Sequence, residues 1–436
     1  MKHVPLILVA FVAGLGAVLD PALAADWPRW RGPAGTGYAE GCNPPMTWGP
    51  DENVRWKVEI PGHGHASPIV LGDRVYVLTA VGDAEAAPVK RGGRRRRMPK
   101  PSAPFEFRVM ALGRRDGRVQ WDTLVRKEVP HESTHRTASF ASSTPVTDGE
   151  HVFAFFGSRG LYCLGMDGRV VWEKDLGDMR TRKSFGEGGS PALHGDTLIV
   201  PWDHEGDSFI VALDKRTGEQ RWRVDRSERT SWTSPIVTVV RDRTQVVLAG
   251  TDASVGYDLA TGDEIWRCSG MTMNVVPTPV IGHGLIYLMS GFRGAALQAV
   301  KLDEARGDVT GGAAIAWTAR RGTPYVPLPL LSDGRLYFLK GNDGIISCVD
   351  AVTGAAHYST ARLPDVGMVY ASPVGADGRV YVCGREGRVI VLEDGPQFRV
   401  LATNTLGEGI DATPALVDGE IFIRGSRHLF CIARTP

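Results

Sequence analysis

Short alternating runs of apolar and polar residues dominate the chain. Arg74-Val75-Tyr76-Val77 and Arg379-Val380-Tyr381-Val382 follow the two-residue period of a strand rather than the 3.6-residue period of a helix. Outside the first two dozen residues, no window longer than about 12 residues sustains apolar spacing at i, i+3 and i+4, so an all-β fold is predicted. The strands come in a fixed order. A Ser/Thr-Pro step opens each group, at Ser67-Pro68, Thr144-Pro145, Ser190-Pro191, Ser234-Pro235, Thr278-Pro279, Ser372-Pro373 and Thr413-Pro414, with Leu328-Pro329 a degenerate copy. An apolar pair, a turn such as Leu71-Gly72-Asp73, and two further strands follow. A tight Asp-Gly or Thr-Gly turn then precedes a tryptophan four residues past the glycine, as in Gly117 to Trp121, Gly168 to Trp172, Gly218 to Trp222 and Gly262 to Trp266.

The prolines of these steps are separated by 77, 46, 44, 44, 50, 44 and 41 residues. A four-stranded unit at a period of about 40–50 residues is a propeller blade, because a lone sheet leaves both faces wet and only neighbours around an axis bury both. Eight four-stranded antiparallel blades are predicted over residues 53–436. The last, from Thr413, has only three strands of its own, and Val54-Arg55-Trp56-Lys57-Val58 supplies the missing outer one, closing the ring without a free edge. Trp56, Trp121, Trp172, Trp222, Trp266 and Trp317 are expected to pack between blades. Blade 5 stretches its last turn around Thr310-Gly311-Gly312, blade 6 has Tyr358 in place of the tryptophan, and blade 7 is expected to have Arg399 there.

Ala212-Leu213-Asp214-Lys215-Arg216-Thr217-Gly218-Glu219-Gln220-Arg221-Trp222 resembles the repeat named after pyrroloquinoline quinone, shared by quinoprotein alcohol dehydrogenases and BamB-like outer-membrane assembly proteins. The resemblance covers residues 53–434. The opening Trp27-Pro28-Arg29-Trp30-Arg31-Gly32-Pro33 also resembles the start of exported bacterial proteins of this class. WD40 repeats fit less well, since Trp-Asp occurs only at Trp121-Asp122 and no Gly-His opener recurs in register. For function the resemblance divides. A quinoprotein would need a quinone at the axis, a calcium ion held by carboxylate and amide oxygens, a general-base Asp and a vicinal Cys pair, and no Cys-Cys occurs here. No catalytic residue and no metal ligand carries over, so no cofactor is predicted. Quinone and calcium belong only to the alternative oxidoreductase reading, and outer-membrane protein assembly is a third.

The ends and composition narrow the setting. Lys2 and His3, the apolar stretch Val4 to Leu19 and Ala22-Leu23-Ala24 read as a secretory signal over 1–24, followed by an extension over 25–52. No Cys follows the cleavage point to carry a lipid, and no other segment is long and apolar enough to span a bilayer. A periplasmic or secreted monomer is the expectation. Fifty Lys+Arg against 49 Asp+Glu exclude a chain-wide nucleic-acid footprint. The six cysteines include Cys163, Cys348 and Cys431 at one packing position, and Cys383 with Cys431 is the only pairing between tandem neighbours among the strand cysteines. Residues 84–103 interrupt blade 1 with a basic, proline-bearing stretch containing Arg94, Arg95, Arg96 and Arg97, expected to be a disordered loop that could meet an anionic surface.

In a propeller the loops entering the innermost strands ring the channel mouth. The residue two before each proline-step opener gives His65, Ser142, Gly188, Trp232, Val276, Val326, Tyr370 and Asp411, and neighbours add Glu187, Asn274 and Tyr325. His65, Ser142, Glu187, Trp232, Asn274, Tyr325, Tyr370 and Asp411 are therefore the candidates to hold a protein or small polar ligand. His63, His131, His135 and Arg136 lie further out on the same loops. Asp203-His204-Glu205 offers carboxylate and imidazole, but alternation on an extended chain separates them, so a solvated loop is expected. The leading functional reading is a non-catalytic binding or scaffolding module. Deleting residues 84–103 should change the unfolding free energy by less than about 1 kcal/mol, since a loop insertion costs little closure entropy; a larger loss in urea melts would place that segment in the fold.

Overall fold

The computed structural model describes residues 26–49, 52–82 and 99–434. The leader read over 1–24 and most of the basic insertion lie outside those residues. Eight separate sheets surround one axis. Blade 1 is built from Ile69–Leu71, Arg74–Val81, Phe105–Gly113 and Val119–Glu128, paired antiparallel in sequence order. The following six blades repeat that order. Blade 8 pairs Ala415–Val417, Glu420–Arg424 and His428–Ile432, and its outer strand is Val54–Glu59, with Trp56 opposite Cys431 and Val58 opposite Leu429. Both ends of the chain thus share one sheet. Two single 3-10 turns, Gly157–Arg159 and Arg182–Ser184, are the only helical elements among the described residues.

The recurring glycine and tryptophan are two halves of one joint. Gly117, Gly168, Gly218, Gly262 and Gly354 all have φ between 68° and 82°. A Cβ on any of them would come within 2.6 to 2.9 Å of an indole of the preceding blade, Trp56, Trp121, Trp172, Trp222 or Trp317. Glycine is thus required twice, for its left-handed backbone and for the approach of the ring. Each indole N–H then donates to a backbone carbonyl of that next blade: Trp56 to Arg114 at 2.9 Å, Trp121 to Met166 at 3.0 Å, Trp172 to Lys215 at 2.9 Å, Trp222 to Leu259 at 2.8 Å and Trp317 to Ala351 at 3.0 Å. A small residue stands across the ladder from each ring. Cys431, Ala111, Cys163, Ala212 and Ala299 fill that role, which explains the shared position of the strand cysteines. All six cysteines are buried and free, so the Cys383–Cys431 pairing does not form.

Three joints depart from the rule. Trp266 sits in the apolar cluster between blades 4 and 5 but donates inward, to Gln245 Oε1 of its own blade at 3.1 Å. The enlarged turn of blade 5 explains the change, for its Gly307–Asp308 segment pairs with Trp266–Arg267 of blade 4. Tyr358 of blade 6 meets Phe398 of blade 7 edge-on, at 5.7 Å between ring centres. In blade 7 the register corrects the expectation for Arg399. Ala402 lies opposite Val391, across the same bulge that precedes the tryptophans, and Arg399 falls before the outer strand Val400–Thr405. A large residue on the third strand has exchanged with a small one on the outer strand.

The indole missing from blade 7 comes from the N-terminal extension. Trp48, only 5% exposed, stacks at 6.5 Å on Tyr381. Tyr76, Phe153 and Tyr287 hold the matching positions beside Trp121, Trp172 and Trp317 at 5.9 to 6.1 Å. Asn404 of blade 7 fixes the segment by accepting the Trp48 backbone N–H at 3.0 Å and donating to the Met46 carbonyl at 3.0 Å.

Around the axis the proline steps form a belt. The hydroxyl of Thr144 accepts the Ser67 N–H, and the same bond runs from Thr144 to Ser190, Ser190 to Ser234, Ser234 to Thr278, Leu328 to Ser372 and Ser372 to Thr413, at 2.8 to 3.0 Å. Leu328, without a hydroxyl, breaks it between blades 5 and 6, and among the described residues no such bond joins Thr413 to Ser67 between blades 8 and 1. These buried N–H groups would otherwise lack a partner where the inner strands converge. Trp222→Ala should destabilise by about 3–5 kcal/mol, and Trp48→Ala, outside the repeats, by about 3 kcal/mol or more, measured by urea unfolding. A Trp48→Ala loss below about 1 kcal/mol would show that the blade 7 joint stands without it.

Candidate functional site

The first strand of each blade runs away from the loops that follow the proline-step register, so those loops share one face. The N-terminal segment plugs the opposite side. Trp27 pairs with Val70 at the far end of blade 1's inner strand, the Pro28 carbonyl accepts the Thr147 N–H of blade 2, and Tyr38–Ala39 lies parallel to Val374–Ala376 of blade 7. Between them Arg31 is buried and donates to the carbonyls of Thr36, Pro329 and Pro373. Burial pushes that guanidinium down to about 9. The Thr36 carbonyl holds Arg31 within the plug, and the Pro329 and Pro373 carbonyls tie it to blades 6 and 7.

Above the plug lies a cavity of about 540 Å³ with Trp30 among its lining residues. All eight residues of the sequence-derived ring face it: His65, Ser142, Gly188, Trp232, Val276, Val326, Tyr370 and Asp411. Glu187, Tyr325, His135 and Arg136 also reach it, whereas His131 turns to a small recess beneath the neighbouring loop. Asn274 does not line the cavity. It is 3% exposed with φ of 59°, a left-handed turn residue whose side chain faces protein. Trp30, Phe185, Phe292, Asn342 and Met368 line the cavity without having been singled out, because they stand on a non-repeating plug or on loop positions outside the counted register.

Polar groups on the wall are mostly engaged. Glu187 accepts the Ser158 N–H at 2.7 Å and its hydroxyl at 2.6 Å. Burial raises its carboxyl above the usual range while those bonds pull it back. Arg385 grips Asp411 with two nitrogens, at 2.5 and 2.8 Å, and lies 4.4 Å from the centre of the Tyr370 ring. The loop between blades 1 and 2 leans over the mouth. Thr137 Oγ1 lies 2.7 Å from His135 Nδ1 and 3.4 Å from the Tyr370 hydroxyl of blade 7, while His135 packs edge-on against Phe185 at 5.0 Å. Phe292 and Tyr325 stack at 4.8 Å on another wall. Aromatic faces with a few fixed polar groups suit a ligand that is part flat and part polar.

Asp203, His204 and Glu205 are not a solvated loop. Asp203 and Arg226 form a buried pair at 2.8 and 3.2 Å, His204 Nδ1 accepts the Arg180 N–H, and Glu205 accepts from the Thr230 hydroxyl. The three side chains diverge, as alternation requires. Among the described residues, Asp148, Glu150 and His151 bring ligand-type atoms together, but the Lys215 ammonium already lies 2.9 Å from Asp148 and supplies the positive charge.

His65 gives the site a pH signature. Burial pushes its imidazole below the usual range, and Asp411, 3.7 Å away, pulls the other way, with Arg385, Arg424 and His63 adding to the depression. A depressed folded pKa means that the unfolded chain binds the proton more readily. The neutral ring's contribution is therefore complete above about pH 6.5 and is lost as pH falls from there through the folded value. Stability should drop at up to about 1.4 kcal/mol per pH unit over that window, and His65→Asn should flatten the profile. Identical profiles in urea melts at several pH values would count against a neutral His65 on the cavity wall.

Residues 106–360 and, in a second match, 206–435 fit the family described as outer membrane protein assembly factor BamB. The Yersinia pestis protein of that name is 27% identical over 228 residues, covering 47% of this chain and 53% of its own length. That of Shewanella oneidensis is 24% identical over 260 residues, 55% of this chain and 62% of its own. The chain therefore matches little more than half the length of these relatives. Among solved structures, BamB from Moraxella catarrhalis superposes with a TM-score of 0.58 at 13% identity, over 87% of this chain and 96% of that one. The quinohemoprotein alcohol dehydrogenase of Comamonas testosteroni gives 0.64 at 12% identity, over 94% and 81%. Those two likenesses speak for the fold. With the repeat, the eight-bladed ring and the matched residues in agreement, the chain belongs to the BamB family of pyrroloquinoline quinone-like repeat propellers.

Proposed function

We propose that this protein is an exported, non-catalytic binding propeller that holds a polypeptide partner at its channel mouth. The observation that carries the reading is the blind aromatic cavity with Trp30 among its lining residues, whose volume falls in the range of roughly 300–1,000 Å³ typical of ligand sites. A side chain offered by a partner could enter between Trp232, Tyr325 and Tyr370, with the surrounding loops as a polar rim. Relatives named for outer membrane protein assembly support a protein partner and a periplasmic setting. Among the described residues no helix is long and apolar enough to cross a membrane.

The quinoprotein alternative fits the residues poorly. Calcium takes about 6–8 oxygen ligands at one point. The two carboxylates on this wall belong to blades 3 and 8 and are already committed to Ser158 and Arg385, and Asn342 accepts the Val326 N–H. No cysteine lines the cavity to cover a quinone.

A photo-crosslinking residue placed at Phe292 should capture a specific envelope protein, while one at Val171, exposed on the outside of blade 2, should not. Equal or absent capture from both positions would overturn the mouth as the binding face. Protein mixed with pyrroloquinoline quinone and Ca²⁺, then freed of excess, should keep no quinone absorbance; a one-to-one complex would favour the oxidoreductase.

A further inference from the structure

One buried charge finds no hydrogen-bond partner in the ring. Arg424 closes the second strand of blade 8, is 1% exposed, and none of its three side-chain nitrogens has a hydrogen-bond partner. Register places it two residues beyond the one opposite the start of the inner strand, Phe422 opposite Ala415. The same position in the other seven blades holds Leu78, Phe155, Pro201, Ala249, Met289, Leu339 and Cys383, all apolar. A structural role would be met by any of these. Instead this blade carries a guanidinium with five donors, whose burial without acceptors is among the costlier things a fold can do.

The acids nearby are taken. Glu408, the carboxylate whose charge reaches Arg424, accepts the His428 N–H at 3.0 Å and lies 2.9 Å from the His428 ring nitrogen. Asp411 is held by Arg385. Burial pushes the Arg424 guanidinium down to about 10, with Glu408 opposing, so the charge is poorly solvated yet present at neutral pH. Arg424 shares its strand face with Phe422, which packs on Trp56, the indole bonded to blade 1. Its charge is felt at His65, which lines the axial cavity.

We propose that the Arg424 guanidinium, buried on the face of blade 8 that meets blade 1, is a receptor for a single carboxylate held by its fork. A planar fork matches a planar two-oxygen acceptor. One uncompensated positive charge also selects a monoanion, since a phosphate dianion would leave excess negative charge near Glu408. The inference rests on the proposed binding role of the mouth only as the side from which the acid arrives, and it names the chemistry of one group that the proposed partner or a small organic acid would bring.

The full-length protein in carboxylate-free buffer, titrated with sodium acetate at constant ionic strength, tests it by thermal melting and by line broadening of ¹³C-labelled acetate. Saturable stabilisation of the wild type is expected, with sodium chloride and phosphate much weaker. Arg424→Leu, the residue of blades 1 and 6, should be at least as stable without acetate and should lose the response. Arg424→Lys should bind about tenfold more weakly, having charge without the fork. No acetate response in the wild type, an equal response in Arg424→Leu, or a stronger response to phosphate would each overturn the proposal. So would Arg424→Leu that is far less stable or does not fold, since the guanidinium would then be structural. A peptide with a free terminal carboxylate and its amidated form, run as competitors, separate a peptide source from a free acid. Capture from position 292 in the Arg424→Leu background reports on the mouth independently.

Discussion

An indole laid over a bare glycine of the next wedge, with its N–H on that wedge's backbone, is the contact on which the ring depends. It joins apolar burial to a directional bond, so each blade is fixed in angle as well as distance. Five joints use it unchanged, from Trp56, Trp121, Trp172, Trp222 and Trp317. Because a closed ring has no spare joint, the others need substitutes: an added strand beside Trp266, a Tyr358–Phe398 contact, and Trp48 brought in from outside the repeat.

At the axis the physics changes from apolar to polar. Inner strands converge where water is scarce, and their first N–H groups are met by hydroxyls of the following blade. The belt holds the inner rim at a fixed width, and the plug carrying Trp30 and Arg31 turns an open channel into a blind cavity. Rigid inner strands set the distances while loops supply the chemistry, the usual division in a binding scaffold.

The repeat was legible because its residues are demanded by local geometry that recurs. Only glycine tolerates the turn under the indole, and only a small residue fits across from it, so the pattern survives wherever the joint does. The counted ring positions line one cavity for the same reason. What stayed hidden had no second copy to reveal it. Trp48 and Trp30 act once each, in a segment without period, and Asn274 differs from its neighbours only in a backbone angle. Asp203 read as solvated because its partner Arg226 stands 23 residues away on another strand. The Arg399 expectation failed by counting from the turn, when the bulge before Ala402 decides which residue meets the next blade.

The N-terminal segment also sets the order in which the molecule can be made. Trp48 bonds to Asn404, 356 residues later, and Val54–Glu59 has its partner in His428–Ile432, near the opposite end of the chain. Trp48 and Val54–Glu59 must therefore wait, undocked, until the last blades have been synthesised. Such long-range pairing makes for slow assembly. It also means that a truncated or stalled chain leaves Val54–Glu59 without its partner strand, so an incomplete copy presents an open edge rather than a smaller version of the finished protein.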